Sequence, residues 1–199
     1  MAKVWNAQGQ SEKALASYKR LAADAENRKE DLDKSLYKGI VGESNFLLGE
    51  ALQKEFERVE DEGGNSLSRL KFKGGKLEES LKLYNKAIAA DDSEWSSRAR
   101  FNAAQLAENM SQAIRVAMAK GSAKADRTLD EQARRWVQVS QQYHTQNLMA
   151  RQKDPYRYRD VVWIERSALK ASGLQPQVEP ASRSLPSALD TTQPYQWSH

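Results

Sequence analysis

Side chains able to do acid–base or nucleophilic chemistry are scarce in this chain of 199 residues. It has two histidines and no cysteine. His144 lies among glutamines of a predicted helix, with no acid or serine placed locally to act with it, so we expect a surface or interface histidine rather than a base. His199 is the terminal residue. The lack of cysteine excludes disulfides, thiol nucleophiles, zinc knuckles and iron–sulfur sites.

Carboxylates and one glycine–lysine motif offer no better catalytic site. Acidic residues cluster at predicted helix ends, where we expect them to face solvent: Glu30-Asp31, Glu60-Asp61-Glu62 and Asp91-Asp92. The motif Lys73-Gly-Gly-Lys76 is superficially similar to a phosphate-binding loop, but Leu70 and Leu77 replace that loop's first glycine and its hydroxyl. We therefore predict a turn at this motif, and a protein that is not an enzyme, with no catalytic residue, cofactor or metal site.

A surplus of basic residues is the more informative chemical feature. Residues 98–159 hold 12 basic and 5 acidic side chains, with aromatic residues between them. Six of the basic residues are the candidate contacts for an acidic partner, with non-specific binding to DNA phosphates included: Arg134, Arg135, Arg151, Lys153, Arg157 and Arg159. Near a predicted helix start, cations oppose the helix macrodipole, and an external anion is the simplest compensation. The alternative is a basic face that is merely solvated.

The elements that carry these residues are predicted to be helices. Leu, Ile, Val and Phe number only 36 of 199 residues, whereas alanine and other strong helix formers are abundant. We therefore predict an all-α fold, an elongated array of about five or six helices. Because thin, alanine-rich stripes bury little surface per residue, we also expect the chain to assemble with copies of itself.

Apolar residues recur at helical spacings of 4 and 3 along most of the chain. The clearest stripes are Ala99, Ala103, Leu106, Met110, Ala113, Ala117 and then Leu129, Ala133, Trp136, Ser140, Tyr143, Asn147, Ala150. The two polar members of the second stripe, Ser140 and Asn147, are expected to fix register against a partner. Residues 11–61 are predicted to form one long helix or two.

Breaks in these stripes divide the chain. We predict a helical array over residues 1–173, with interruptions near 63–66, 73–76, 91–93, 121–124 and 154–155, and an extended or disordered tail over 174–199. Asp154-Pro155 is expected to start the last helix. No apolar run reaches ~18 residues and the N-terminus has no apolar signal region, so neither a membrane span nor an export signal is expected.

Two segments resemble tetratricopeptide-like helical repeats, whose second helix carries a glycine, then alanine five residues on, then an aromatic residue. Gly9, Ala14 and Tyr18 fit this pattern, and Gly75, Ser80 and Tyr84 fit it more loosely. Tyr18 and Tyr84 lie 66 residues apart, close to two periods of ~34. The resemblance implies a cytoplasmic adaptor that binds a peptide or protein partner in a helical groove.

The chain also resembles the small internal virion proteins of short-tailed bacteriophages, which are ejected with the genome. The segments that carry this resemblance are residues 7–27, 62–70 and 99–103, together with the proline-bearing tail. It implies a structural protein made in the host cytoplasm and located in the virion near the portal, where it assists DNA ejection. Its expected partners are copies of itself, larger internal virion proteins and the portal. Of the two functions, sequence favours this one, with the adaptor as the alternative.

Overall fold

Six helices make up the part of the fold that the structure describes. A computed structural model describes Trp5 and residues 10–59, 66–119, 127–159 and 161–173, and no strand occurs in these ranges. The helices are α1 (Ser11–Asn27), α2 (Lys34–Arg58), α3 (Ser66–Ala89), α4 (Ser93–Ala119), α5 (Arg127–Lys153) and α6 (Val162–Gly173). The predicted all-α class is confirmed.

Residues 11–58 form two helices rather than one. Asp33 caps the start of α2, because its side chain accepts hydrogen bonds from the backbone N–H groups of Ser35 and Leu36, at 2.8 and 3.1 Å. Such a cap satisfies donors that the first turn of a helix cannot pair internally. The polar residues between Asn27 and Asp33 therefore form a connection between two separate helices.

Consecutive helices run in opposite directions and pack side by side. The contacts that show this direction are Glu26–Tyr37, Glu55–Lys76, Tyr84–Asn102, Ser97–Asn147 and Asn147–Ser167. The even-numbered helices also approach one another closely, α2 with α4 and α4 with α6. Among the odd-numbered helices, the Tyr143 hydroxyl of α5 donates to Asn85 of α3 at 3.0 Å, but their backbones do not come as close. The array therefore has two layers, one formed by α2, α4 and α6, and the other by α1, α3 and α5.

The core lies mainly between α2, α3, α4 and α5. Five of the six predicted stripe residues of α4 are buried, and Ala113 is partly buried. In α5 the stripe from Leu129 to Asn147 is buried as predicted. Its polar members bond within the chain: Ser140 donates to Glu108 of α4, and Asn147 donates to the Ser97 carbonyl of α4 and the Ser167 hydroxyl of α6. They therefore fix the register of three helices of one chain.

Helices α2 and α3 approach closely at Gly49. A Cβ atom placed there would lie 2.9 Å from two ring carbons of Tyr84. The Ser80 hydroxyl donates to the Gly49 carbonyl at 2.8 Å in the same buried contact. A residue without a side chain is therefore what allows the Tyr84 ring to lie against the α2 backbone.

One of the predicted breaks is wrong, and after another, near 154–155, the next helix starts later than predicted. Residues 73–76 lie inside α3, where burial of Leu70, Leu77 and Tyr84 offsets the roughly 1 kcal/mol that each glycine costs a helix. Pro155 does not start the last helix: residues 155–159 form turns, and α6 begins at Val162. The break near 91–93 lies between α3 and α4. The breaks near 63–66 and 121–124, apart from Ser66 itself, and the tail 174–199 lie outside the described residues.

The length and hydropathy of each helix decide whether it could span a membrane. Across the described ranges, none of the helices combines the length and the apolar character that a membrane span requires.

Candidate functional site

An open groove of about 360 Å³ runs between the three helices of the even-numbered layer. Its lining side chains come from α2 (Glu50, Gln53, Lys54, Glu57), α4 (Arg98, Phe101, Asn102, Gln105) and α6 (Trp163, Arg166). In both α2 and α4 these positions are spaced 0, 3, 4 and 7, which is one face of a helix. Three parallel helices therefore each present one polar or aromatic face to the same groove.

Tyr84 of α3 lies behind the groove and holds two of its lining side chains in place. Its hydroxyl donates to the Gln53 side-chain oxygen at 2.7 Å and accepts from the Asn102 amide at 3.4 Å. Burial raises the pKa of Tyr84, so the phenol stays protonated and remains a donor. One buried hydroxyl therefore fixes a groove-lining amide on α2 and another on α4.

One wall of the groove is built from aromatic rings and guanidinium groups. The guanidinium carbons of Arg98 and Arg166 lie 5.1 and 4.5 Å from the centre of the Trp163 ring. The indole itself is held by its N–H, which donates to Glu94 at 2.9 Å, and by Phe101, whose ring centre is 5.5 Å away. The result is an aromatic surface, fixed in position, that carries two cations.

The opposite wall, on α2, is acidic. Glu50 lies 3.6 Å from Arg98 across the groove and 3.6 Å from Lys54 on its own helix. Glu57 accepts a hydrogen bond from Gln53 at 3.0 Å. The α2 wall thus carries two carboxylates and the Lys54 ammonium, whereas the charged groups that line α4 and α6 are guanidinium groups, so the groove is polarised across its width.

A buried polar cluster fastens α6, and with it Trp163 and Arg166, to the rest of the array. His144 is fully buried, which corrects the expectation of a surface or interface histidine. One ring nitrogen lies 3.2 Å from the Ser167 hydroxyl, and the other lies 3.5 Å from Glu108. The sequence hides this cluster because its members are 20 to 60 residues apart and meet only when α4, α5 and α6 pack.

The order serine, histidine, carboxylate in this cluster is also that of a nucleophile activated by a base. Ser167 and His144 are both fully buried, however, so no substrate reaches the hydroxyl in this conformation. Burial would raise the pKa of Glu108, but His144, the Lys170 ammonium and the Ser140 hydroxyl outweigh it and hold that pKa below its ordinary range. The arrangement stabilises a carboxylate and connects helices.

Two of the six basic residues predicted from sequence are paired within the chain. Arg134 pairs with Asp130 at 2.8 Å on its own helix, and Arg157 bonds the Asp91 carboxylate at 3.1 and 3.2 Å. Four others are exposed and have no ion pair with a described residue: Arg135, Arg151, Lys153 and Arg159. For Arg157 the argument from an external anion is therefore wrong, because Asp91 compensates its charge and 155–159 is not a helix start.

Asp91 connects three parts of the fold. Its φ of 57° is the only positive value at a non-glycine residue in the described ranges. Its carboxylate accepts from Lys38 of α2 at 2.6 Å and from Arg157 in the turn after α5. Burial would raise the pKa of Asp91, but these two hydrogen bonds lower it below its ordinary range. These bonds join the connection between α3 and α4 to α2 and to the turn that follows α5.

Within the described ranges, no cluster of histidine and carboxylate side chains could hold a metal ion. No family model, curated protein or solved structure matches the chain. Sequence reasoning does not single out the groove-lining residues, although Trp163 and Arg166 lie three residues apart and the lining positions of α2 and α4 repeat with helical spacing. The missing information is which helices lie side by side.

Proposed function

We propose that the protein is a binding adaptor that holds a segment of a partner protein in the groove between α2, α4 and α6. The observation that supports this most directly is the lining itself. Three parallel helices contribute ten side chains to one open groove, and the aromatic and guanidinium groups there are those that recur in protein recognition.

The architecture is consistent with a helical-repeat adaptor. Stacked helix pairs form extended surfaces that bind peptides. This chain likewise stacks its helix pairs side by side in two layers. The pairs begin at Ser11, Ser66 and Arg127, roughly 60 residues apart, which is longer than the ~34 residues of tetratricopeptide repeats. The proposal therefore concerns the mode of binding and not membership of that family. The internal virion resemblance and the expected self-association stay predictions.

A test of this function blocks the groove. Random peptides displayed on a surface are selected against the full chain, and their affinities are measured for Gln105→Trp, which fills the groove, and for Gln142→Trp. The second variant is the control, because Gln142 is exposed on α5, in the other layer. We expect selected peptides to lose affinity for Gln105→Trp and to keep it for Gln142→Trp. Selection of no peptide, or equal binding to both variants, contradicts the proposal.

A further inference from the structure

We propose that the groove recognises an acidic side chain of the partner segment, whose carboxylate pairs with Arg166 on the face of Trp163. This inference rests on the proposed function and names the chemistry of the ligand. Three features of the wall formed by α4 and α6 lead to it: a guanidinium without an acidic partner, a fixed ring that orients it, and a second cation beside it.

Arg166 is the guanidinium without an acidic partner. It is exposed, it lines the groove, and its one side-chain interaction in the described chain is stacking on Trp163 at 4.5 Å. A cation–π contact with a ring does not use the N–H donors of a guanidinium, so those that point away from the ring are available to a ligand. Such donors match the two oxygens of a carboxylate, so the stacking places a carboxylate receptor at the mouth of the groove.

The ring beneath Arg166 is held in place before any ligand arrives. The Trp163 N–H bonds Glu94 of α4, and its ring packs on Phe101 of the same helix. Because α6 is also joined to α5 through Ser167 and to α4 through Lys170 and Glu108, the helix that carries Arg166 has little freedom left to lose. A receptor arranged in advance loses less conformational entropy when it binds.

Arg98 adds a second positive charge on the same ring. Its guanidinium carbon is 5.1 Å from the Trp163 ring centre, and its side chain is 29% exposed. Glu50 neutralises it only in part, at a distance of 3.6 Å and while also facing Lys54. A carboxylate bound to Arg166 therefore has a second cation beside the same indole ring.

The acidic wall of α2 decides between a protein ligand and a nucleic acid. Glu50 and Glu57 face the groove opposite the guanidinium groups. A phosphodiester strand carries a negative charge at every nucleotide, so part of it would face these carboxylates. A protein segment can direct an acid toward Arg166 and a neutral or basic residue toward α2. Charge complementarity thus favours an acidic side chain within a segment of mixed charge.

The test uses a peptide of defined charge, acetyl-(EAAAK)3-amide, and its neutralised counterpart acetyl-(QAAAK)3-amide. Binding to the full chain is followed by NMR through the indole N–H of Trp163 and the side-chain N–H of Arg166. Arg166→Gln is compared with Arg151→Gln, which removes the same charge from an exposed arginine at the end of α5. Arg166→Lys keeps the charge but not the planar edge.

We expect (EAAAK)3 to bind saturably and (QAAAK)3 to bind about tenfold more weakly, the ratio given by one charge-assisted pair. Arg166→Gln should lose that preference, Arg166→Lys should keep part of it, and Arg151→Gln should leave it unchanged. No saturable binding of (EAAAK)3, or equal losses in the two glutamine variants, overturns the inference. Tighter binding of a DNA duplex through Arg166 also overturns it.

Failure of this inference is separable from failure of the proposed function. Suppose that the selected peptides lose affinity for Gln105→Trp but bind Arg166→Gln as tightly as the unaltered chain. The proposed adaptor function would then still hold. The peptides would show that the groove selects its ligand without a carboxylate.

Discussion

The packing of Tyr84 against Gly49 can be measured with a matched pair of substitutions in α2. Gly39 and Gly49 lie in the same helix, and alanine favours a helix interior over glycine by about 0.5–1 kcal/mol. At Gly39 a Cβ atom would meet nothing within 4 Å. We therefore expect Gly39→Ala to stabilise the protein by about 0.5–1 kcal/mol.

At Gly49 the same methyl group would lie 2.9 Å from two carbons of the Tyr84 ring and 3.3 Å from a third. Carbon atoms pack at about 3.5–4.0 Å, so the ring must move by more than half an ångström. It has little room to do so, because its hydroxyl is bonded to Gln53 and its ring packs on Phe46. Overpacking of this kind costs about 1–3 kcal/mol.

The difference between the two variants isolates that cost. Both substitutions are the same and lie in one helix, so helix propensity and effects on the unfolded chain largely cancel. Urea unfolding followed by far-UV circular dichroism should place Gly49→Ala about 1–3 kcal/mol below Gly39→Ala in free energy of unfolding. Equal stabilisation by the two alanines would refute the close approach of α2 and α3 at Gly49.

Three further predictions concern polar contacts. Asp91→Asn keeps a residue that tolerates positive φ but loses the ion pairs. Because the folded pKa of Asp91 lies below the unfolded value, the stability it contributes is present above about pH 3.9 and lost as pH falls through the folded pKa. Urea titrations should show the variant's deficit shrinking in acid, and a constant deficit would contradict this. Asn147→Ala should lower the free energy of unfolding by about 1–3 kcal/mol and speed amide exchange in α6, because it removes hydrogen bonds to Ser97 and Ser167. Unchanged exchange in α6 would contradict this prediction. Tyr84→Phe should lower the free energy of unfolding, measured with urea, by about 0.5–1.5 kcal/mol. An unchanged free energy would mean that the hydrogen bonds of the hydroxyl contribute nothing to stability.

Sequence periodicity predicts the helices better than their ends. It identifies the stripes of α4 and α5 residue by residue, because small and apolar residues at alternating spacings of 4 and 3 fall on one face of a helix and on no regular face of a strand. Gly74 and Gly75 favour a turn by local propensity, which does not show that Leu70, Leu77 and Tyr84 are buried against neighbouring helices. Tertiary burial outweighs local preference there.

The groove is not predictable from sequence because it depends on pairing between distant helices. Its α2 residues and its α6 residues are more than 100 positions apart in the chain. Dense basic sequence points instead to Arg134 and Arg157, which are satisfied by Asp130 and Asp91. That Arg166 lies on Trp163 in a groove, with no ion pair to a described residue, is visible only once the packing of α6 on α4 is known.

The order of contacts along the array affects how the groove opens. Because α6 packs closely on α4 and α5 alone among the described helices, it can detach from them without disturbing the packing of α2 on α3. In arrays of this kind the free energy is close to a sum over neighbouring elements, and end elements open at lower cost than the whole. Loss of α6 alone would remove Trp163 and Arg166 while the acidic wall on α2 stayed in place. A ligand that contacts both walls would therefore join α6 to α2 and slow the detachment of α6.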